Sequence, residues 1–234
     1  MRAALVVLLI AFAGCLAVAP GTARSSPARR TILGYSVQGR PIVAIERGDP
    51  RSRRRILVVG CIHGNEPAGI AVARRLESMP LPAGVDLWIV PSLNPDGVAA
   101  GTRQNAHGVD LNRNFPWRWQ RLSGVHASGP HSLSEPESRA AYRLILRLRP
   151  AVSIWFHQRL DLVDESGGSV AVERRYAGAV GLPLRRLTRY PGSVTTWEDH
   201  RFPGTTAFVV ELHAGSLDPA ETARFARAAL HSAP

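Results

Sequence analysis

Two side chains that could bind a metal ion lie three positions apart in the segment His63-Gly64-Asn65-Glu66. An imidazole and a carboxylate are both suitable zinc ligands, and Gly64 permits the tight turn that would aim them at one ion. A catalytic zinc site needs a third protein ligand and an open position, and His157 is the candidate for that ligand. Taken alone the pattern is weak, because a histidine at the end of a strand is more often a structural residue.

The elements that must position these side chains can be predicted from the apolar pattern. Continuous apolar runs predict buried strands at 56–60, 85–90, 152–156 and 207–212, after two shorter strands within 32–46. Helical patterns cover 66–79, 134–150, 171–180 and 218–230, and a turn is predicted at 94–97. Strands that alternate with helices predict a single α/β domain with a mixed, mostly parallel central sheet flanked by helices.

Polar residues follow the ends of the predicted strands. In open α/β sheets, ligands bind beyond the carboxyl ends of the strands. In chain order, the residues that fall there are His63 and Glu66, then Asn94 and Asp96, then His157, and finally Glu211. A common site at this edge of the sheet is therefore expected.

Five segments form a more specific pattern: HGNEPAG, NPDG, DLNRNFP, FHQ and FVVEL. Their order resembles that in the zinc metallocarboxypeptidases, and the short spacing from Arg103 to Arg113 is similar to that of bacterial murein peptide amidases. The resemblance covers about residues 34–215. It implies a trimmed version of the fold, since fewer residues separate His63 from His157 than in the digestive carboxypeptidases.

The resemblance also implies a catalytic centre. His63, Glu66 and His157 would bind one zinc ion per chain. Glu211 would be the general base, and Arg103 would polarise the scissile carbonyl. Zinc lowers the pKa of a bound water toward about 7, and a carboxylate can accept its proton at neutral pH.

A substrate-binding group is implied next to this centre. Asn112 and Arg113 would bind a terminal carboxylate, for which the planar guanidinium of arginine is well suited. Tyr190 would be the mobile substrate-binding tyrosine. A loop aromatic is the alternative for Tyr190, because the stretch from it to Trp197 is shorter than in the family.

The pocket for the terminal side chain is expected near Thr195. A neutral threonine there argues against a pocket dedicated to arginine or lysine. Glu198, Asp199 or Asp164 could still contact an amine on the substrate.

These residues predict the hydrolysis of an amide bond next to a free carboxylate, in a peptide or a cell-wall (murein) peptide. Two alternatives remain open. An N-acyl amino acid deacylase of the aspartoacylase type would use the same kind of site, and a wall-binding module would not turn over its ligand.

The N-terminal segment predicts export. Arg2 precedes an apolar stretch at 3–19, and small residues surround Ala23. We therefore expect a signal peptide at 1–23, a linker at 24–30, a catalytic domain at 31–234, and a secreted or envelope protein. Lipid attachment at Cys15 and a retained membrane anchor are the alternatives.

Charge and cysteine content limit the partners further. The net charge is +11, but all 29 basic residues are arginine and few of them cluster. That composition does not favour nucleic acid as a partner, whereas weak attraction to an anionic cell wall stays open. After export Cys61 would be the only cysteine, either a catalytic thiol or, as its apolar neighbours favour, a buried inert one. A monomer is expected.

Overall fold

The computed structural model describes residues 28–233. The predicted signal peptide and Cys15 lie outside this range. Within it, no helix combines the length and the apolar character that crossing a bilayer requires.

The strands and helices of this range alternate along much of the chain. The strands are β1 (Arg29–Tyr35), β2 (Pro41–Gly48), β3 (Arg54–Val59), β4 (Val85–Val90), β5 (Val152–Gln158), β6 (Leu162–Asp164), β7 (Leu184–Arg185) and β8 (Thr206–Leu212). The α-helices are α1 (Gly69–Leu76), α2 (Pro95–Ala100), α3 (Pro136–Leu148), α4 (Val170–Val180), α5 (Val194–Arg201) and α6 (Pro219–Leu230). Short 3₁₀ helices lie at Leu111–Arg113 and Gly124–His126.

These strands form one sheet in the order β1-β2-β4-β3-β5-β8-β6-β7. The four central strands, β4, β3, β5 and β8, run parallel. Antiparallel pairs join β1 to β2, β2 to β4 and β6 to β8. The predicted α/β domain with a mixed, mostly parallel sheet flanked by helices is confirmed.

Helices cover both faces of the sheet. Along β3, Ile56 and Val58 belong to one buried apolar cluster, together with α1, α4 and α6. Leu57 and Val59 belong to the other cluster, together with α3 and α5. Neighbouring side chains of a strand point to opposite faces, so a strand covered on both sides must be apolar without interruption.

The first helix is shorter than predicted. It begins at Gly69 instead of Glu66 and ends at Leu76 instead of Met79. The predicted start was wrong because the chain turns first, with the backbone N–H of Glu66 donating to the carbonyl of His63 at 2.9 Å. Glu66 is thereby held beside His63.

Other short elements differ from the prediction as well. The segment at 94–97 starts helix α2, because Asn94 Oδ1 accepts from the N–H of Gly97 at 2.9 Å. Helix α5 was missed because its first turn contains the β-branched residues Val194, Thr195 and Thr196. Strands β6 and β7 have only 3 and 2 residues, which is too short for an alternation of apolar and polar residues to be recognised in the sequence.

Strand β1 begins before its predicted start and includes the last two residues of the predicted linker. Arg29 forms an ion pair with Glu46 at 2.6 Å, and Arg30 forms one with Glu77 at 2.5 Å. These pairs join the start of β1 to β2 and to the end of α1.

Candidate metal centre

The three predicted metal ligands meet at the carboxyl edge of the central strands. Nδ1 of His63 and Nδ1 of His157 each lie 3.0 Å from Oε2 of Glu66. The two imidazole ring centroids are 4.7 Å apart, and one candidate ligand atom from each of the three residues lies within 4.8 Å of the others. All three side chains are buried.

A buried carboxylate, that of Asp110, supports this group. Its Oδ1 lies 2.9 Å from Nε2 of His63 and accepts from the N–H of Asn112 at 3.0 Å. Its Oδ2 accepts from Nε of Arg103 at 3.0 Å and lies 2.9 Å from Nη2 of the same guanidinium. Arg103 also donates to Oε1 of Glu66 at 2.9 Å. Partners of this kind orient an imidazole ligand. The sequence offered a signal for Asp110, which opens the DLNRNFP segment.

Glu211 lies beside His157, because the two residues pair in register on the parallel strands β5 and β8. Its side chain is buried, and within residues 28–233 its Oε2 has no hydrogen-bond partner. Burial raises the pKa of Glu211 above its ordinary value, while His157 opposes this effect and Glu66 adds to it. An unpartnered buried carboxylate oxygen is available to a ligand.

Asn112 and Arg113 present unused donors to the same space. Asn112 Oδ1 accepts from the N–H of Val194 at 3.0 Å, so the amide nitrogen is the end left for a ligand. Arg113 Nη1 donates to the carbonyl of Asn112 at 2.6 Å. Its Nε is buried and has no hydrogen-bond partner within the described range.

Tyr190 and Thr195 also reach the site. The Tyr190 side chain is 42% exposed, and its ring centroid lies 4.3 Å from Cζ of Arg113. Thr195 is buried, with Oγ1 3.2 Å from Oγ of Ser193. The roles of both residues stay predictions.

Every residue predicted to bind the metal, bind the substrate or act in catalysis lines one cleft of about 400 Å³. Asn94 and Asp96, which were expected at the same edge of the sheet, do not line it, because Asn94 caps helix α2 and Asp96 forms an ion pair with Arg40. Residues that the sequence did not single out complete its walls, and among them are His126, Gln158, Arg159, Leu187, Arg189 and Ser193. No motif pointed to His126, which lies in the second 3₁₀ helix.

Of the acids proposed to contact an amine, only Asp164 lines the cleft. It already binds Arg189 at 2.5 Å. Glu198 is buried and accepts from Oγ of Ser153 at 2.5 Å, while Asp199 accepts from a backbone N–H of β8. Glu198 and Asp199 are therefore structural.

The donor set fits a zinc ion. Two imidazoles and one carboxylate form a ligand set that catalytic zinc sites use. Burial alone would raise the pKa of Glu66, but hydrogen bonds from His157 and His63 hold it well below its ordinary value. Glu66 is therefore ionised, which is the form that binds a metal.

The thiol of Cys61 takes no part in this centre. The side chain is buried, and Sγ donates to the carbonyl of His63 at 3.0 Å. Burial raises the pKa of the Cys61 thiol to about 12, so the nucleophilic thiolate is disfavoured. The predicted burial of this thiol is confirmed.

Comparison with known proteins gives consistent matches. The sequence profile of the zinc carboxypeptidase family matches residues 21–163. Murein peptide amidase A of Escherichia coli K12 is 32% identical over 180 residues, which cover 70% of this chain and 74% of that protein.

Solved structures agree with the sequence matches. The murein-tripeptide amidase MpaA of Escherichia coli O157 superimposes with a TM-score of 0.72 at 28% identity, covering 86% of this chain and 91% of that one. Carboxypeptidase A of Helicoverpa armigera shares the fold, with a TM-score of 0.73 at 18% identity over 88% of this chain and 68% of that one. From the profile match and these relatives together, we conclude that the chain belongs to the zinc carboxypeptidase family of hydrolases.

Proposed function

We propose that the protein is a zinc-dependent hydrolase of amide bonds next to a free carboxylate, with peptides and murein peptides as its substrates. The proposal depends on one observation. A zinc ligand set, an unpartnered carboxylate and an arginine with a free edge line the same cleft of about 400 Å³.

The chemistry follows from the groups around the scissile bond. When bound by His63, Glu66 and His157, zinc would supply Lewis acidity toward water and toward the scissile carbonyl. Glu211 would accept a proton from the attacking water and deliver it to the leaving amine. Arg103 donates through Nε to Asp110 and through Nη1 to Glu66, so other N–H donors of its five remain to stabilise the developing oxyanion.

The position of the cleaved bond would be set by the carboxylate-binding group. Arg113 would present Nε and Nη2 as a fork, because Nη1 is engaged with the backbone. Asn112 would add its amide nitrogen. Both residues lie within three positions of Asp110, so the carboxylate would be held at a constant distance from the metal centre.

A murein peptide as substrate is supported by the similarity to murein peptide amidases over most of this chain. We also propose that the protein acts outside the cytoplasm, on the basis of its N-terminal sequence. Export would bring the enzyme to the cell wall.

The test uses purified full-length protein, assayed for zinc content and for turnover by mass spectrometry. Substrates would be peptides and muropeptides with a free terminal carboxylate, the same peptides as C-terminal amides, and N-acyl amino acids. We expect about one zinc per chain and cleavage of the free acids. Amidation should slow cleavage by at least about 100-fold, because the buried Arg113 would lose its charged partner.

Other outcomes would decide against the proposal. Equal cleavage of acids and amides would remove the carboxylate-binding role of Arg113. Release from N-acyl amino acids alone would favour the deacylase, and binding of muropeptides without turnover would favour a wall-binding module. Glu211→Gln protein, prepared in parallel, controls for contaminating peptidases.

A further inference from the structure

The position of the Tyr190 ring depends on two ring contacts. Tyr190 lies in a segment without regular structure, and within residues 28–233 its hydroxyl makes no hydrogen bond. Its ring is 4.3 Å from Cζ of Arg113 and 5.2 Å from the His126 ring, at an interplanar angle of 32°. Of these two neighbours, Arg113 is the one expected to bind substrate.

His126 also lines the cleft, and its imidazole contacts Asp110, which supports the metal centre. Its Nδ1 lies 3.4 Å from Oδ2 of Asp110, the oxygen that also binds Arg103. The adjacent backbone is tied to the same residue, since the N–H of Asp110 donates to the carbonyl of Ala127 at 2.7 Å. These two contacts restrain the imidazole at the cleft wall.

We propose that His126 is a positioning residue that holds Tyr190 next to Arg113 at the carboxylate-binding end of the cleft. The proposal rests on the proposed function. An aromatic ring on an irregular segment has several rotamers, and contact with a fixed imidazole reduces their number before substrate binds. Less ordering is then needed on binding, so the contact contributes to substrate affinity.

The experiment is a double-mutant cycle on a substrate with a free carboxylate. His126→Ala should raise KM about 2- to 10-fold, as expected for loss of an aromatic contact, and should leave kcat within about 2-fold. His126→Phe keeps an aromatic ring but loses the contact with Asp110, so its KM should lie between those of His126→Ala and the wild type. In a Tyr190→Ala background, His126→Ala should have almost no further effect.

A matched control is His131→Ala, because His131 is exposed, lies in the same long connection and does not line the cleft. It should leave KM unchanged. The proposal is overturned if His126→Ala acts equally with and without Tyr190, or if His126→Phe is as impaired as His126→Ala. Turnover by the wild type tests the proposed function separately, so failure of one can be told from failure of the other.

Discussion

At the scale of single residues, several polar side chains of the centre have a partner at one end and a free end toward the cleft. Arg113 donates through Nη1 to the carbonyl of Asn112, while its Nε has no partner among the described residues. Asn112 contacts the N–H of Val194 through Oδ1, which leaves its amide nitrogen. A side chain fixed in this way loses little freedom when a ligand binds, so the site is organised in advance.

The substitution Glu211→Gln tests whether Glu211 is the general base. The amide is nearly isosteric but cannot accept the proton, so kcat/KM should fall about 100- to 10,000-fold. Zinc content should stay at wild-type level, because Glu211 is not one of the three ligands. Kinetics and metal analysis on the same preparation check both parts, and an unimpaired variant would exclude Glu211 as the base.

The metal ligands, Glu211, Asn112 and Arg113 lie in recognisable sequence segments and could be predicted, and the fold brings them to one cleft. The NPDG segment does not reach that cleft, because its Asn94 caps helix α2. His126 could not be predicted. It comes from an irregular connection, and it meets Tyr190 only through the tertiary fold. The spacing of residues along the chain gives no sign of this contact.

At the scale of elements, the apolar runs predicted the central strands well, because strands covered on both faces have little freedom in composition. The first residue of α1 was harder to predict from the sequence. Residues after Glu66 have a helical pattern, yet the chain there turns to hold Glu66 beside His63. The sequence of helix α5 shows no clear helical spacing of apolar residues. The helix is held by packing of Trp197 against Phe115 and by Asn112 Oδ1, which accepts from the N–H of Val194.

The turn before α1 gives a second prediction. A Cβ on Gly64 would lie 1.9 Å from the carbonyl carbon of Gly97, so Gly64→Ala must displace the turn that carries His63 and Glu66. We expect a loss of about 1–3 kcal/mol in the free energy of unfolding and weaker zinc binding. Urea unfolding and metal titration measure these two effects.

Gly178→Ala is the control for this substitution. A Cβ on Gly178 would meet no atom within 4 Å, and the residue lies inside helix α4. Alanine there should stabilise the protein by about 0.5–1 kcal/mol and leave zinc binding unchanged. If Gly64→Ala behaves like Gly178→Ala, the close approach to Gly97 does not constrain the turn.

Glu198, on α5, gives a prediction about pH. Burial raises the pKa of Glu198 to about 8, despite the hydrogen bond from Ser153. The folded state therefore favours the protonated form. The contribution of Glu198 to the free energy of unfolding is fully present below about pH 4.5, its ordinary pKa. This contribution is lost as the pH rises toward 8.

Glu198→Gln should remove this dependence. Between pH 5 and 8, the wild type should lose stability relative to the variant, by up to about 1.4 kcal/mol per pH unit. Urea unfolding at several pH values measures the difference. Parallel curves for the two proteins would show that Glu198 is not protonated in the fold.

At the scale of the whole molecule, zinc should contribute to stability, because its ligands come from separate parts of the chain. His63 and Glu66 precede α1, whereas His157 belongs to β5. Only the folded chain brings them within 4.8 Å. A ligand that binds the folded state alone at 100 times its Kd stabilises it by about 2.7 kcal/mol.

Chelation should therefore lower the Tm by about 5–10 °C, and added zinc should restore it. Differential scanning calorimetry would follow both steps. The Tm of Glu211→Gln should respond as the wild type does, and that of His63→Ala should not respond. A Tm of the wild type that is insensitive to both treatments would contradict a zinc site built from these ligands.

His157 and Glu211 pair on adjacent parallel strands, so the sheet sets the distance between this metal ligand and the base. Neighbouring strands lie about 4.8 Å apart, so the offset between a metal ligand and the base comes from backbone hydrogen bonding. A one-residue deletion within β8 would turn the Glu211 side chain to the opposite face, where Val210 and Leu212 now pack. Insertions and deletions near this centre should therefore be tolerated in the loops but not within β5 or β8, because the strand register sets the distance between ligand and base.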